Sequence, residues 1–100
     1  MIQGAFLYIL RCADGSYYIG TTRKALEQRV AEHNEGTFGG YTATRRPVIF
    51  AFSEWFERVD DAIAAERQVK GWSRAKKEAL IRGELEKLPA LSKRRRSFNR

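Results

Sequence analysis

The chain holds one cysteine, one histidine and two prolines in 100 residues, and it has no long apolar run. Each shortage excludes something. Cys12 has no second thiol to bridge to, and without a Cys/His cluster there is no zinc-binding pattern, so a reduced setting is expected. Cys12 itself reads as a small apolar filler on a strand. No apolar stretch approaches the roughly 18 residues that signal a membrane span. The opening Met1-Ile2-Gln3-Gly4 also lacks the basic start and cleavage site of a signal peptide. The expectation is a cytoplasmic protein without membrane association. The length suits one domain with a modest core.

What is plentiful is positive charge, and it is unevenly placed. Residues 1–69 carry eight Lys/Arg against nine Asp/Glu, a net −1, whereas residues 70–100 carry eleven against three, a net +8. The formal charge of +7 therefore comes from the last third. Such asymmetry points to an anionic partner. Nucleic acid is favoured over membrane, because the basic tail has no long apolar face beside it. A tail kept for solubility is the plainer alternative.

Hydrophobic patterning predicts the order β-β-α-β-α-α: an α+β fold with a small, mostly antiparallel three-stranded sheet flanked by helices. Ala5 to Cys12 reads as a strand and Ser16 to Thr21 as its hairpin partner. A two-residue Asp14-Gly15 loop would put Tyr8 and Tyr18 on opposite faces. A three-residue Ala13-Asp14-Gly15 loop, with Gly15 left-handed, pairs Cys12 with Ser16, Leu10 with Tyr18 and Tyr8 with Gly20, so both tyrosines share a face. The three-residue form is the expectation. Lys24 to Glu35 reads as a helix ended by Gly36, residues 37–46 as a loop, and Val48 to Phe56 as the third strand. A helix from about Asp61 to Lys70, capped by Asp60 and stopped at Gly71, precedes one capped by Ser73 and running to about Arg82. The division expected is a domain over residues 1–85 and a mobile basic tail over 86–100, containing Lys93-Arg94-Arg95-Arg96.

Several reactive side chains share this small domain. Tyr8 and Tyr18 lie on paired strands, where a tyrosine is usually core with a satisfied hydroxyl. Leu26, Arg29, Val30 and His33 occupy the i, i+3, i+4, i+7 positions of one helix stripe. Arg29 on that stripe requires an anion, either an internal carboxylate or a phosphate that its fork can grip bidentately. His33 is either a hydrogen-bonded spacer or a group that orients a phenol and shuttles protons near neutral pH. Glu66 falls between Ile63 and Val69 on the inward side of its helix. A lone inward carboxylate suits magnesium, which keeps much of its water shell. Pairing with Arg67, Lys70 or Arg29 is the structural alternative.

The set resembles the GIY-YIG nuclease superfamily. Phe6-Leu7-Tyr8 stands where the first motif would be, with Phe6 in place of its glycine, and Tyr18-Ile19-Gly20 reproduces the second. The spacing to Arg29-x-x-x-His33 and then to Glu66 also fits, over about residues 4–83. The ending from Gly71-Trp72-Ser73-Arg74 through Lys76-Lys77 is similar to the small stand-alone bacterial (YhbQ-like) branch. The resemblance implies a central antiparallel sheet and phosphodiester hydrolysis with one divalent metal, magnesium or manganese. It also implies roles. Tyr8 would be the general base on water, and Tyr18 would hydrogen-bond in the same pocket. Arg29 would stabilise the pentacovalent phosphate, His33 would assist, and Glu66 would hold the metal.

Arg45, Arg46, Arg74, Lys76 and Lys77 are the candidate phosphate contacts outside that centre, giving sequence-independent, salt-sensitive binding. Tyr41 and Trp72 are candidates to stack on unpaired bases, with a core role for Trp72 as the plainer reading. The reading adopted is a metal-dependent endonuclease on DNA, favoured over RNA, selective for structure or single strands rather than sequence. The competing reading is a non-catalytic nucleic-acid-binding accessory module, in DNA repair or RNA-associated complexes. A protein-interaction module with an inert site is a third.

Overall fold

The computed structural model describes residues 4–84. Along the chain run β1 (Ala5–Arg11), β2 (Tyr17–Thr22), α1 (Leu26–Asn34), α2 (Gly40–Ala43), β3 (Ile49–Phe56), α3 (Val59–Lys70) and α4 (Arg74–Arg82). The strands form one sheet in the order β2-β1-β3, with both pairings antiparallel. This is the expected α+β class. The tail over residues 86–100, with its arginine run, lies outside the described residues.

Strand β1 is central and must bury both faces, which explains why its sequence is apolar without alternation. Leu7 and Ile9 join Ile19, Val69 and Leu80 on one face, so that α3 and α4 cover it. Tyr8, Leu10 and Cys12 join Val48 on the other, against Tyr18, Leu26 and Val30. Cys12 is a buried free thiol. The hairpin takes the three-residue loop. Cys12 N–H donates to Ser16 O at 2.8 Å, Gly15 has φ of 87°, and the register pairs Leu10 with Tyr18 and Tyr8 with Gly20.

Element ends depart from expectation for local reasons. Helix α1 begins at Leu26 rather than Lys24, because Lys24 N–H is bound to Thr22 Oγ1 at 3.0 Å, tying it to the end of β2. Val48 stays outside β3 because its peptide is engaged by one side chain: its N–H donates to Asn34 Oδ1 at 2.7 Å and its carbonyl accepts from Asn34 Nδ2 at 3.0 Å. Helix α3 starts two residues early, and Arg58 rather than Asp60 occupies its N-cap. Asp60 and Asp61 instead lie in the first turn, where carboxylates complement the helix dipole. Ser73 does cap α4, its hydroxyl accepting from Lys76 N–H at 3.1 Å. Residues 37–46 are not all loop: Gly39 and Gly40, at φ of 61° and 65°, turn the chain into the short helix α2.

Candidate active site

Tyr8 and Tyr18 emerge on the sheet face covered by α1. Their ring centroids lie 6.2 Å apart, and the His33 ring lies 5.9 Å from Tyr8 and 5.0 Å from Tyr18. The closeness depends on Gly20, the cross-strand partner of Tyr8. A Cβ there would stand 2.7 Å from Cζ and Oη of Tyr8 and 3.0 Å from a Tyr18 ring carbon. The glycine of the second motif is therefore the space into which the Tyr8 ring fits.

His33 is 2% exposed and joins two hydroxyls. Its Nε2 lies 2.9 Å from Tyr8 Oη and its Nδ1 lies 2.8 Å from Thr42 Oγ1. Burial first, and then the Arg29 charge, hold its pKa below the ordinary value, while Glu32 opposes them. A neutral ring carries one N–H, so the chain of bonds can run in either direction. With the proton on Nδ1, that N–H donates to Thr42 and Nε2 accepts from the Tyr8 hydroxyl.

The Tyr8 phenol is itself pushed well above its usual pKa. Burial is the main cause and Tyr18 adds to it; the charge and hydrogen bond of Arg29 oppose the shift, and Glu66 adds a smaller upward push. Tyr8 thus feels both the guanidinium and the carboxylate. Arg29 is not saturated within the protein. Its Nε is buried without a hydrogen-bond partner, at 3.6 Å from Glu32 Oε1, which is too long for a hydrogen bond. The other Glu32 oxygen is held by Lys24 at 3.0 Å and Gln28 at 3.3 Å.

Glu66 comes from α3. Of the three cations weighed as its partners, Lys70 pairs with it, Nζ to Oε2 at 2.7 Å. That bond is the first cause holding the lysine above its usual pKa; burial opposes it, and the Glu66 and Tyr18 charges add to it. Among the described residues, no group of three or more His, Cys, Asp or Glu is gathered to enclose a metal. The donor set here is one carboxylate near two phenols. It fits a hard cation that takes a single protein carboxylate and fills its remaining positions with water and substrate oxygens.

A cleft of about 280 Å³, lined by Tyr17, Tyr18, Ile19, Tyr41, Lys70 and Lys77, brings β2, α2, α3 and α4 together beside these groups. Tyr41 is exposed, and its ring stacks towards Tyr18 with centroids 6.2 Å apart. The guanidinium of Arg45 covers Tyr41 at 3.8 Å. Tyr17 points the other way: its hydroxyl donates to Glu78 at 3.1 Å, and Arg74 lies over its ring.

The candidate phosphate contacts divide. Lys77 lines the cleft. Arg74 pairs with Glu78 at 3.0 Å. Arg45 binds Asp14 and the Tyr41 carbonyl, and Arg46 binds the Ala43 and Asn34 carbonyls, so both fasten the segment before β3. Lys76 departs most from an exposed basic contact: it is 4% exposed, with its ammonium 4.0 Å from the centroid of the Trp72 ring. An apolar stem and a cation–π contact let a lysine lie inside here. Trp72 packs against the core cluster, the plainer of the two readings made for it.

Thr42 and Phe38 carry no sequence signal of their own. Thr42 is buried in a four-residue helix set between glycines and arginines. Exposed Phe38 packs on His33 at 4.6 Å and under Arg29 at 4.7 Å. Only the fold of the segment after α1 brings them in.

The sequence profile of the GIY-YIG catalytic domain matches residues 4–79. A UPF0213 protein of Halobacterium salinarum is 43% identical over 75 residues, spanning 75% of this chain and 96% of its own. One from Staphylococcus saprophyticus is 41% identical over 76 residues, spanning 76% and 92%. The solution NMR structure of a protein from E. faecalis superposes with a TM-score of 0.56 at 40% identity, covering 83% of this chain and 90% of that one. That of a UPF0213 protein from Bacillus halodurans gives 0.52 at 35%, covering 79% and 83%. With a matching profile across three quarters of its length and relatives aligned over nearly their whole chains, this protein belongs to the GIY-YIG family, in its small stand-alone UPF0213 branch.

Proposed function

We propose that the protein is a metal-dependent endonuclease that hydrolyses phosphodiester bonds in DNA. The family is one of nucleases in general, and its substrate is nucleic acid. The observation that carries the finer reading is the hydrogen-bonded chain Tyr8–His33–Thr42, set beside an Arg29 guanidinium with a buried, unused donor.

A free phenol, with a pKa of about 10, is ionised in only roughly one molecule in a thousand at neutral pH. The burial of Tyr8 makes a standing phenolate rarer still. The phenol therefore works as a relay: its oxygen takes a proton from water as its own proton passes to His33 Nε2. His33 is suited to receive it because burial favours the neutral ring, and in the tautomer whose Nδ1–H donates to Thr42 its Nε2 accepts from the Tyr8 hydroxyl. Arg29 offers its fork to the phosphoryl oxygens, where charge develops. Tyr18, whose ring lies beside Tyr8 and His33, would hydrogen-bond to water or substrate in the same pocket. Glu66 would hold magnesium or manganese, which supplies Lewis-acid polarisation of a phosphoryl oxygen when bound.

Lys77 and the partly exposed ring of Tyr41 border the site, a surface suited to backbone contacts and to stacking on an unpaired base where the Arg45 guanidinium gives way. This supports selectivity for single-stranded or branched DNA over any fixed sequence. A second reading, a binding module without turnover, is favoured by one observation: Glu66 is already neutralised by Lys70. A cleavage assay on labelled single-stranded, duplex and branched DNA with magnesium, manganese or chelator separates the two. Metal-dependent cutting abolished by Glu66→Gln, with binding retained, is the expected result. Binding without cutting by the wild-type protein would establish the module instead.

A further inference from the structure

We infer that Lys70 is a built-in competitor for the divalent cation, its ammonium neutralising the Glu66 carboxylate through Oε2 until a metal outcompetes it. The inference rests on the assignment of Glu66 as the metal-holding carboxylate. Its basis is the 2.7 Å approach of Nζ to Oε2, one helical turn along α3. A carboxylate has two oxygens and about four lone-pair sites, so the ammonium leaves room for a cation at Oε1, but its positive charge beside Oε2 offsets the carboxylate and opposes a dication at either oxygen.

The two partners differ in freedom. The Glu66 side chain is 20% exposed and the Lys70 side chain 54% exposed. Glu66 is therefore the fixed member, and Lys70 is the one that can turn away. Lys70 is the last residue of α3, followed by the Gly71 cap, and its stem borders the cleft rather than being enclosed by it. Nothing nearby multiplies the acidic charge, since the described residues hold no cluster of three His, Cys, Asp or Glu. With one carboxylate to offer, a single resident ammonium has a large proportional effect on metal affinity. The lysine thus raises the metal concentration at which the site fills.

The test measures manganese binding to the full chain without DNA, from the electron paramagnetic resonance signal of free Mn²⁺, in wild type, Lys70→Met, Lys70→Arg and Glu66→Gln. Lys70→Met keeps the apolar stem and removes the charge. It is expected to bind Mn²⁺ roughly three- to fivefold more tightly, the range set by an ion pair this exposed. Lys70→Arg retains a competing cation and is expected to stay within about twofold of wild type. Circular dichroism confirms that each variant is folded. An unchanged or weaker Mn²⁺ affinity in folded Lys70→Met, with Glu66→Gln binding none, overturns the role of Lys70 and leaves the metal assignment standing. Wild-type binding that persists in Glu66→Gln overturns both.

Discussion

The Tyr8 phenol and the His33 imidazole meet at 2.9 Å from opposite sides of the packing between sheet and helix α1, 25 residues apart in the chain. Burial acts first on both groups, and the Arg29 charge also bears on them, pulling each pKa downwards. The phenol is buried beneath the helix, and the far nitrogen of the ring is taken by Thr42. The pair therefore shares one hydrogen bond and is linked through the ring to a hydroxyl on a different segment.

Replacing that hydroxyl tests the arrangement. Thr42→Val keeps the shape and leaves His33 Nδ1 without its partner. Turnover should fall by about tenfold, the low end for losing a group that orients a catalytic side chain, and stability by about 1–3 kcal/mol. Steady-state kinetics with urea denaturation separate the two effects. Nitrogen NMR of the imidazole should show loss of a single tautomer.

Arg29→Lys preserves charge but not the planar fork. Turnover is expected to drop by about a hundredfold, as when one preorganised donor at a developing charge is removed, with DNA affinity within about threefold of wild type. A loss of binding as large as the loss of turnover would make Arg29 a ground-state contact.

The pH dependence of stability has a defined sign. His33 has a folded pKa below its ordinary value of 6.5, so the stability from keeping it neutral is full above that pH and is lost as pH falls towards the folded value. Tyr8 is the mirror case. Its folded pKa lies above its ordinary value of 10.0, so its contribution is full below that pH and is lost as pH rises towards the folded value. Urea midpoints across the pH range should decline at both ends. His33→Asn should flatten the acid side, and Tyr8→Phe the alkaline side.

Gly20→Ala places a methyl group 2.7 Å from the Tyr8 phenol carbon and oxygen. Overpacking of this kind should destabilise the fold by about 1–3 kcal/mol and displace Tyr8 from His33. Calorimetry and tyrosine titration are the readouts.

The sequence revealed those parts of the site that share an element or a register. Arg29 and His33 fell on one stripe because helical periodicity is local, and Tyr8 and Tyr18 fell on one face because strand parity is local. The cap at Ser73 was legible for the same reason. Thr42 was not, because its contact depends on how the segment after α1 folds back, and two left-handed glycines leave that path open to many conformations. The burial of Lys76 was not legible because a basic residue on a surface helix ordinarily faces water, and its contact with the neighbouring Trp72 ring appears only in the fold. At Glu66, pairing with Lys70 was among the alternatives, but choosing among three nearby cations required the rotamers themselves.

Tyr17 and Tyr18 are chemically interchangeable neighbours, and nothing in a phenol says which of them should serve the site. The hairpin decides. In the observed register Tyr18 faces His33, while Tyr17 is spent on Glu78 across the sheet. A slip of one residue would trade their destinations without altering composition. The turn at Gly15 touches no reacting group, yet it acts as the selector between two otherwise equivalent side chains. A lesion there would read in an assay as the loss of a catalytic tyrosine that is still present in the chain.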